Sequence, residues 1–242
     1  MGNAVRLSGR RLLHFLEELR TKSDAETIHI VAHSMGNRAV TDALELLALR
    51  NNIHEGDEPV FGQIFFAAPD VDAGLFKEML KTIRPLARRT TLYVSQNDWA
   101  LEASRKLHGN APRAGQGGEE VLNDSQFDTV DMSILGKDML AHTYFANDSS
   151  ALADIMSLIW LNPSPSKRCG LSVDASNDVK GAWIYDKYKC PEKGLIGLIS
   201  HLWTEATVTR ATIKAALDEL VTDKAEAATL EQALNRLVDP SE

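Results

Sequence analysis

The sequence lacks long hydrophobic runs and clusters of basic residues. No apolar stretch among its 242 residues approaches the roughly 20 needed to span a membrane, and no apolar core near the N-terminus resembles a signal peptide. The net charge is −8, and the longest runs of basic residues are short pairs such as Arg10-Arg11, which argues against nucleic acid as a partner. A hydrophobic content of 44% is typical of a globular protein and supplies a core.

Cysteine is also scarce, and its positions exclude a metal cluster. Cys169 and Cys190 are the only two, both in the C-terminal third, and neither lies in a cluster with histidine. They could pair in an oxidising compartment, but the sequence alone does not establish a disulfide. We expect two ordinary thiols in a cytoplasmic protein. The chain has no phosphate-cradling glycine motif either, so we expect no metal, nucleotide or other cofactor.

Strands alternate with helices over the first two thirds of the chain. Apolar, β-branched and aromatic runs predict strands at residues 27–32, 60–68, 90–95 and 127–132. Helical spacing predicts helices at residues 7–20, 35–50, 73–83, 99–107 and 149–161. Such alternation predicts an α/β fold with a parallel sheet, helices on its faces, and functional loops at the carboxyl ends of the strands.

The remaining segments are connections and a helical extension. Residues 109–118 form a glycine-rich loop, which we expect to be either a mobile lid or an ordinary surface connection. Residues 162–166 resemble a linker, and the chain is irregular from there to 194, with aromatic residues that suggest a partly packed loop or small hairpin. Two helices are predicted at 204–221 and 225–238.

One stretch has the pattern of a catalytic nucleophile. The first predicted strand runs directly into His33-Ser34-Met35-Gly36, and helical spacing follows at once. This strand–turn–helix context is that of the nucleophile elbow, usually Gly-x-Ser-x-Gly, here with Ala32 in place of the first glycine and Gly36 as the second. We expect small residues at both positions because the turn is tight and strand and helix approach closely around it. The elbow would lift the Ser34 hydroxyl out of the sheet. The backbone N–H of Met35 would then form half of an oxyanion hole.

Two further residues complete a candidate triad. Asp98 follows the third predicted strand and His142 follows the fourth, so the order Ser…Asp…His is that of the α/β-hydrolase fold. His142 would accept the proton of Ser34 as the serine attacks, and Asp98 would orient the imidazole.

Alternative residues lie close to several strand ends. Asp70 and Asp72 follow the second strand, but we prefer Asp98 because the acid more often follows the next strand, and we expect Asp70 to cap a helix. Asp128 and Asp131 are weaker candidates. The other histidines considered are expected to be structural or on the surface, namely His29, His33, His54 and His108.

Taken together, these motifs resemble the bacterial α/β-hydrolase family long catalogued as a domain of unknown function. The resemblance is carried by residues 28–38, 66–72, 91–101, 104–109, 128–131 and 141–145. It implies a serine-hydrolase-like triad on Ser34, Asp98 and His142, but it supplies no substrate. It also implies that residues 1–161 are the C-terminal portion of a hydrolase domain and that 162–242 are a linker and helical extension.

The resemblance further implies several strands before the elbow, one of which ends in His-Gly and supplies the second oxyanion N–H. Only one helix precedes the elbow here, and the single His108-Gly109 pair follows the proposed acid. The fold expected is therefore an incomplete α/β-hydrolase fold with one sheet edge uncovered. The chain would be a fragment or have a misplaced start, be a degenerate paralogue, or be completed by another polypeptide.

Two functions are consistent with this pattern. The first is a serine hydrolase of the esterase/lipase type, acting on a small-molecule or lipid ester through an acyl-serine intermediate and impaired by the missing strands. The second is a non-catalytic, hydrolase-like interaction module, whose sheet is completed by a protein partner or by an N-terminal segment.

Overall fold

A computed structural model describes residues 2–118, 121–135, 149–173, 181–186 and 207–238, with 189, 197–198, 201–202 and 205. The strands in these ranges are β1 (Ile30–His33), β2 (Phe61–Ala67), β3 (Ala87–Val94), β4 (Asp128–Asp131), β5 (Leu171–Val173) and β6 (Trp183–Tyr185). The helices are α1 (Gly2–Lys22), α2 (Gly36–Asn51), α3 (Ala73–Ile83), α4 (Trp99–Leu107), α5 (Ser149–Trp160), α6 (Arg210–Leu220) and α7 (Lys224–Val238).

The strands form one mostly parallel sheet in the order β1-β2-β3-β4-β6-β5. Each of the first three strands lies beside the next one in the chain, with parallel register. Helices connect these strands and flank the sheet, so the predicted α/β-hydrolase fold class is confirmed. Because the strands are parallel, their carboxyl ends lie at one edge and bring the connecting loops together there.

The sheet is buried at β2 and open at β1. Every residue of β2 is buried, as its continuous apolar sequence predicted. By contrast, β1 is the last strand in the order and pairs only with β2 among the described residues. The side chain of Val31 in β1 is 47% exposed. Within the part of the chain that the structure describes, the edge of β1 is therefore uncovered, as the sequence predicted.

Two strands extend the other side of the sheet. Residues 167–194 were expected to be irregular, with a partly packed loop or a small hairpin near the aromatic residues. Within this segment Trp183–Tyr185 forms β6, which pairs in parallel with β4 and carries the buried Tyr185, and β5 lies beside it. Three-residue strands are too short for a period-2 pattern to stand out in the sequence.

The main core lies between the sheet and the helices of the N-terminal half. Apolar side chains at helical spacing on α2 and α3 pack on β2 and its neighbours. The rings of Phe66 in β2 and Phe76 in α3 lie edge to face, with their centroids 5.1 Å apart. This packing fixes the positions of the loops at the carboxyl edge.

The chain divides into two compact units. The first comprises Met1–His142 and Ser172–Tyr185, and the second comprises Thr143–Leu171 and Asp186–Glu242. The second unit has its own apolar cluster on α6 and α7. The domain boundary suggested at 161/162 stays a prediction.

The second unit also contains a buried ion pair and a disulfide-bonded cysteine. Asp154 of α5 forms a buried ion pair with Arg168, whose Nε donates to Oδ1 at 2.9 Å. The neighbouring Cys169 is disulfide-bonded, so the expectation of an ordinary thiol is wrong there. Cys190 lies outside the described residues.

Candidate active site

Ser34 occupies a strained turn between β1 and α2. Its φ angle is +52°, in the left-handed region that residues other than glycine seldom adopt. Holding a non-glycine residue in this region costs on the order of 1–3 kcal/mol, so the surroundings must hold it there. Strain of this kind at a strand-to-helix turn is the backbone signature of a nucleophile elbow.

Hydrogen bonds from two directions hold this turn. The Ser34 carbonyl accepts from the Asn37 backbone at 3.1 Å, from Asn37 Nδ2 at 2.9 Å and from the Asp70 backbone at 3.2 Å. The Ser34 N–H donates to the Ala67 carbonyl at 3.0 Å. Asn37 is completely buried, and its Nδ2 also contacts the Ala67 carbonyl at 3.2 Å. Sequence reasoning missed Asn37, although an amide in the first turn of the helix was a usable signal.

The residues around Ser34 are only partly as expected. Ala32 is buried, in agreement with a tight approach on the strand side. At Gly36, however, an added Cβ would meet no heavy atom within 4 Å, so close packing does not require a small residue there. Met35 precedes α2, which has no side-chain cap among the described residues. The Met35 N–H therefore belongs to the group of N–H donors at the start of a helix that can bind an anion.

Asp98 lies at the carboxyl edge of the same sheet, between β3 and α4. It is only 3% exposed, and its Oδ1 caps α4 by accepting from the Leu101 N–H at 3.0 Å. A carboxylate can accept hydrogen bonds at both oxygens, so capping does not exclude a role in orienting a histidine. The candidate base, His142, lies outside the described residues.

Asp70, the strongest rival acid, has a different role from the one expected. It does not cap the next helix; Asp72 does, by accepting from the Leu75 N–H at 2.9 Å. Asp70 is instead 5% exposed and forms ion pairs with Arg38 at 2.7 Å and Arg113 at 2.9 Å. The prediction of a helix cap at Asp70 was wrong because Asp70 binds two arginines instead. Both arginines are distant in sequence, so the local pattern did not reveal them.

The two later rivals also have local partners. Asp128 pairs with Arg89 of β3 at 2.7 Å. Asp131 accepts a hydrogen bond from the Ser133 N–H at 2.8 Å and another from the Ser133 hydroxyl. These contacts join neighbouring strands and close a turn, which explains both carboxylates structurally.

The glycine-rich loop is packed across the strand ends. We call residues 111–117 the crossing loop. Gly115 donates to the Pro69 carbonyl at 2.9 Å and accepts from Ser95 at 3.0 Å, so it bridges the ends of β2 and β3. Ala114 is completely buried. The expectation of a mobile lid or an ordinary surface connection is therefore wrong for this part of the loop.

The histidines divide by exposure. His54 and His108 are exposed, as predicted, and His33 is half-buried at the end of β1. His29 is also half-buried. Burial, and secondarily the positive charge of Arg88, lower the pKa of His29 below its ordinary value.

A family described as alpha/beta hydrolase of unknown function (DUF900) matches residues 3–159. The chain belongs to this family. The match spans the elbow, Asp98 and the crossing loop of the DUF900 chain, and it confirms the resemblance inferred from the motifs. No curated protein and no solved structure matches the chain. Family membership establishes an α/β hydrolase but names no reaction.

Two further observations concern the described part of the chain alone. Within it, no group of three or more His, Cys, Asp or Glu side chains is arranged to hold a metal ion. The helices in these ranges are all too short or too polar to cross a membrane.

Proposed function

We propose that this DUF900 chain is a serine hydrolase of the esterase/lipase type, which cleaves an ester through an acyl-serine intermediate on Ser34. The observation that carries the proposal is the positive φ of Ser34 at the carboxyl end of β1. Strain is retained where the surrounding structure fixes it and is often part of a mechanism.

The reaction follows from the proposed roles. As Ser34 Oγ attacks the ester carbonyl, His142 takes the hydroxyl proton and Asp98 stabilises the resulting imidazolium. The carbonyl oxygen becomes an oxyanion, to which the Met35 N–H donates. The tetrahedral intermediate then collapses, His142 returns the proton to the leaving alcohol, and an acyl-serine remains. Water then attacks the acyl-serine in the same way, with His142 again taking the proton. The acid is released as His142 returns this proton to Ser34.

Exposed apolar side chains at the carboxyl edge of the sheet favour a substrate with an apolar group. Met35 follows β1, Trp99 follows β3 and Ile134 follows β4, so all three emerge at the carboxyl edge where Ser34 lies. All three are exposed, Trp99 by 68%. Exposed aromatic and aliphatic groups beside a site can bind an acyl chain. This supports a small-molecule or lipid ester as the substrate.

A fluorophosphonate probe tests the proposal, because it reacts only with an activated serine. We expect covalent labelling of the wild type that is lost in Ser34→Ala and strongly reduced in Asp98→Asn. Ser164→Ala, which removes an exposed hydroxyl in a turn, is the matched control and should label normally. A wild-type chain that remains unlabelled by the probe would refute the proposal.

A second oxyanion donor should raise the rate of the reaction. Removing one oxyanion donor from a hydrolase costs on the order of 10²–10³ in rate, and only Met35 is proposed as a donor within this chain. Adding an N-terminal segment or a partner that supplies a second donor would raise the labelling rate by a similar factor.

The open edge of β1 favours a second candidate, a non-catalytic interaction module. In a parallel pair only alternate residues bond to the neighbouring strand, so the backbone groups of Val31 face away from β2. A strand from a protein partner or an N-terminal segment could pair there. Hydrolysis that depends on Ser34 would exclude this candidate as the function of the chain.

Location and other partners stay predictions from the sequence. The cytoplasm was expected, but the disulfide at Cys169 weighs against a reducing compartment. The acidic net charge continues to support the prediction that nucleic acid is not a partner.

A further inference from the structure

We propose that Asp70 is a positioning residue for Ser34, locked in place by Arg38, Ser104 and Arg113. We call these four residues the Asp70 cluster. The inference rests on the proposed function of Ser34. It assigns to Asp70 a task distinct from that of the triad acid.

Three side chains bind the Asp70 carboxylate. Oδ1 accepts from the Ser104 hydroxyl at 2.6 Å and from Arg113 Nε at 2.9 Å, while Oδ2 accepts from Arg38 Nη2 at 2.7 Å. Arg38 belongs to α2, Ser104 to α4 and Arg113 to the crossing loop. The carboxylate therefore ties three separate elements to the end of β2.

The cluster is rigid because it is buried and charged. Asp70 and Arg113 are each 5% exposed, and the Arg38 side chain is 18% exposed. Charge-assisted hydrogen bonds are stronger and shorter than neutral ones, and water competes little at such depth. Three donors on two oxygens thus fix the orientation of the Asp70 carboxylate.

The backbone of Asp70 transmits this rigidity to the elbow. The Asp70 N–H donates to the Ser34 carbonyl at 3.2 Å, and the Asp70 carbonyl accepts from Arg38 Nε at 2.5 Å. A shift of Asp70 would thus move Ser34, whose strained backbone conformation sets the direction of its own hydroxyl. A displacement of about 1 Å in a reacting group can cost about a hundredfold in rate.

Arg38→Lys is the most direct test. It keeps the positive charge but removes the guanidinium group, which donates to the carboxylate and the carbonyl of Asp70 at the same time. We expect the maximal rate of fluorophosphonate labelling to fall by at least tenfold. The half-saturating probe concentration and the pH midpoint of labelling should stay unchanged. Ser104→Ala should give a smaller fall, and Asp70→Asn a larger one if the variant folds.

Glu78→Gln is the control, since it breaks an exposed ion pair with Lys81 on α3. It should label at the wild-type rate. A folded Arg38→Lys protein that also labels at that rate would overturn the inference, and so would a shifted pH midpoint, which would make Asp70 part of the proton-transfer system.

Amide hydrogen exchange separates failure of this inference from failure of the proposed function. Arg38→Lys should speed exchange at the Asn37 and Asp70 amides, which donate to the Ser34 carbonyl, and leave α3 unchanged. If the wild type is never labelled, the proposed function fails. Unchanged exchange at these two amides would independently overturn the positioning role.

Discussion

Substitution of Gly115 by alanine should disturb both stability and the elbow. An added Cβ at Gly115 would lie 2.5 Å from the Ala68 carbonyl carbon and 2.6 Å from the Pro69 nitrogen. Both atoms are backbone, so no side-chain rotation can relieve the overlap. Contact between such atoms is optimal near 3.5–4.0 Å, and the backbone must therefore shift by roughly 1 Å.

The size of the effect follows from where this shift occurs. Overpacking a well-packed interior typically costs about 1–3 kcal/mol, which we expect as the loss in free energy of unfolding. The displaced atoms directly precede Asp70, whose N–H holds the Ser34 carbonyl. We therefore expect fluorophosphonate labelling of Ser34 to slow by about a hundredfold.

Urea unfolding followed by tryptophan fluorescence would measure the loss in free energy of unfolding. Labelling kinetics with the fluorophosphonate would measure the effect on Ser34. Gly74→Ala is the matched control. Its Cβ would come no closer than 3.3 Å, to a carboxylate oxygen of Asp72, and alanine favours a helix. If Gly115→Ala unfolds and labels like Gly74→Ala, then the crossing loop does not support the elbow and the reasoning is refuted.

Three further predictions can be tested with simple assays. Trp99→Ala should reduce the labelling advantage of long-chain over short-chain alkyl fluorophosphonates, whereas Leu107→Ala, an exposed position at the other end of α4, should not. Because the pKa of His29 is lowered in the folded state, the free energy of unfolding should fall as pH drops below about 6.5, and His29→Gln should flatten that fall. Dithiothreitol should lower the thermal midpoint through loss of the disulfide at Cys169, by the equivalent of about 2–4 kcal/mol; an unchanged midpoint would contradict this.

The fold was predictable wherever one local pattern decided it. The continuous apolar run of β2 predicted a buried central strand, and the helical spacing predicted α3 and α4 at residues 73–83 and 99–107, where the structure has them. The short β6 was not predictable, because its three residues join the sheet through pairing with β4. Such pairing depends on tertiary context, which local propensity does not contain.

The crossing loop was misjudged for a related reason. Its glycines suggested freedom of movement, yet Gly115 and Gly117 are needed because backbone from other segments approaches them closely, within 2.5 Å and 2.8 Å of a Cβ. The sequence alone does not distinguish a glycine that is required by a close approach of other backbone from a glycine in a flexible loop. Only the position of the strand ends distinguishes them.

The two carboxylates at the sheet edge show most clearly what long-range contacts decide. Asp70 and Asp98 each follow a parallel strand, precede a helix and are almost fully buried. Two arginines, 32 residues before and 43 residues after Asp70, neutralise its carboxylate and turn it into a structural anchor. Asp98 caps α4 through one oxygen. The different contacts of the two aspartates therefore depend on Arg38 and Arg113, which the local sequence around Asp70 does not contain.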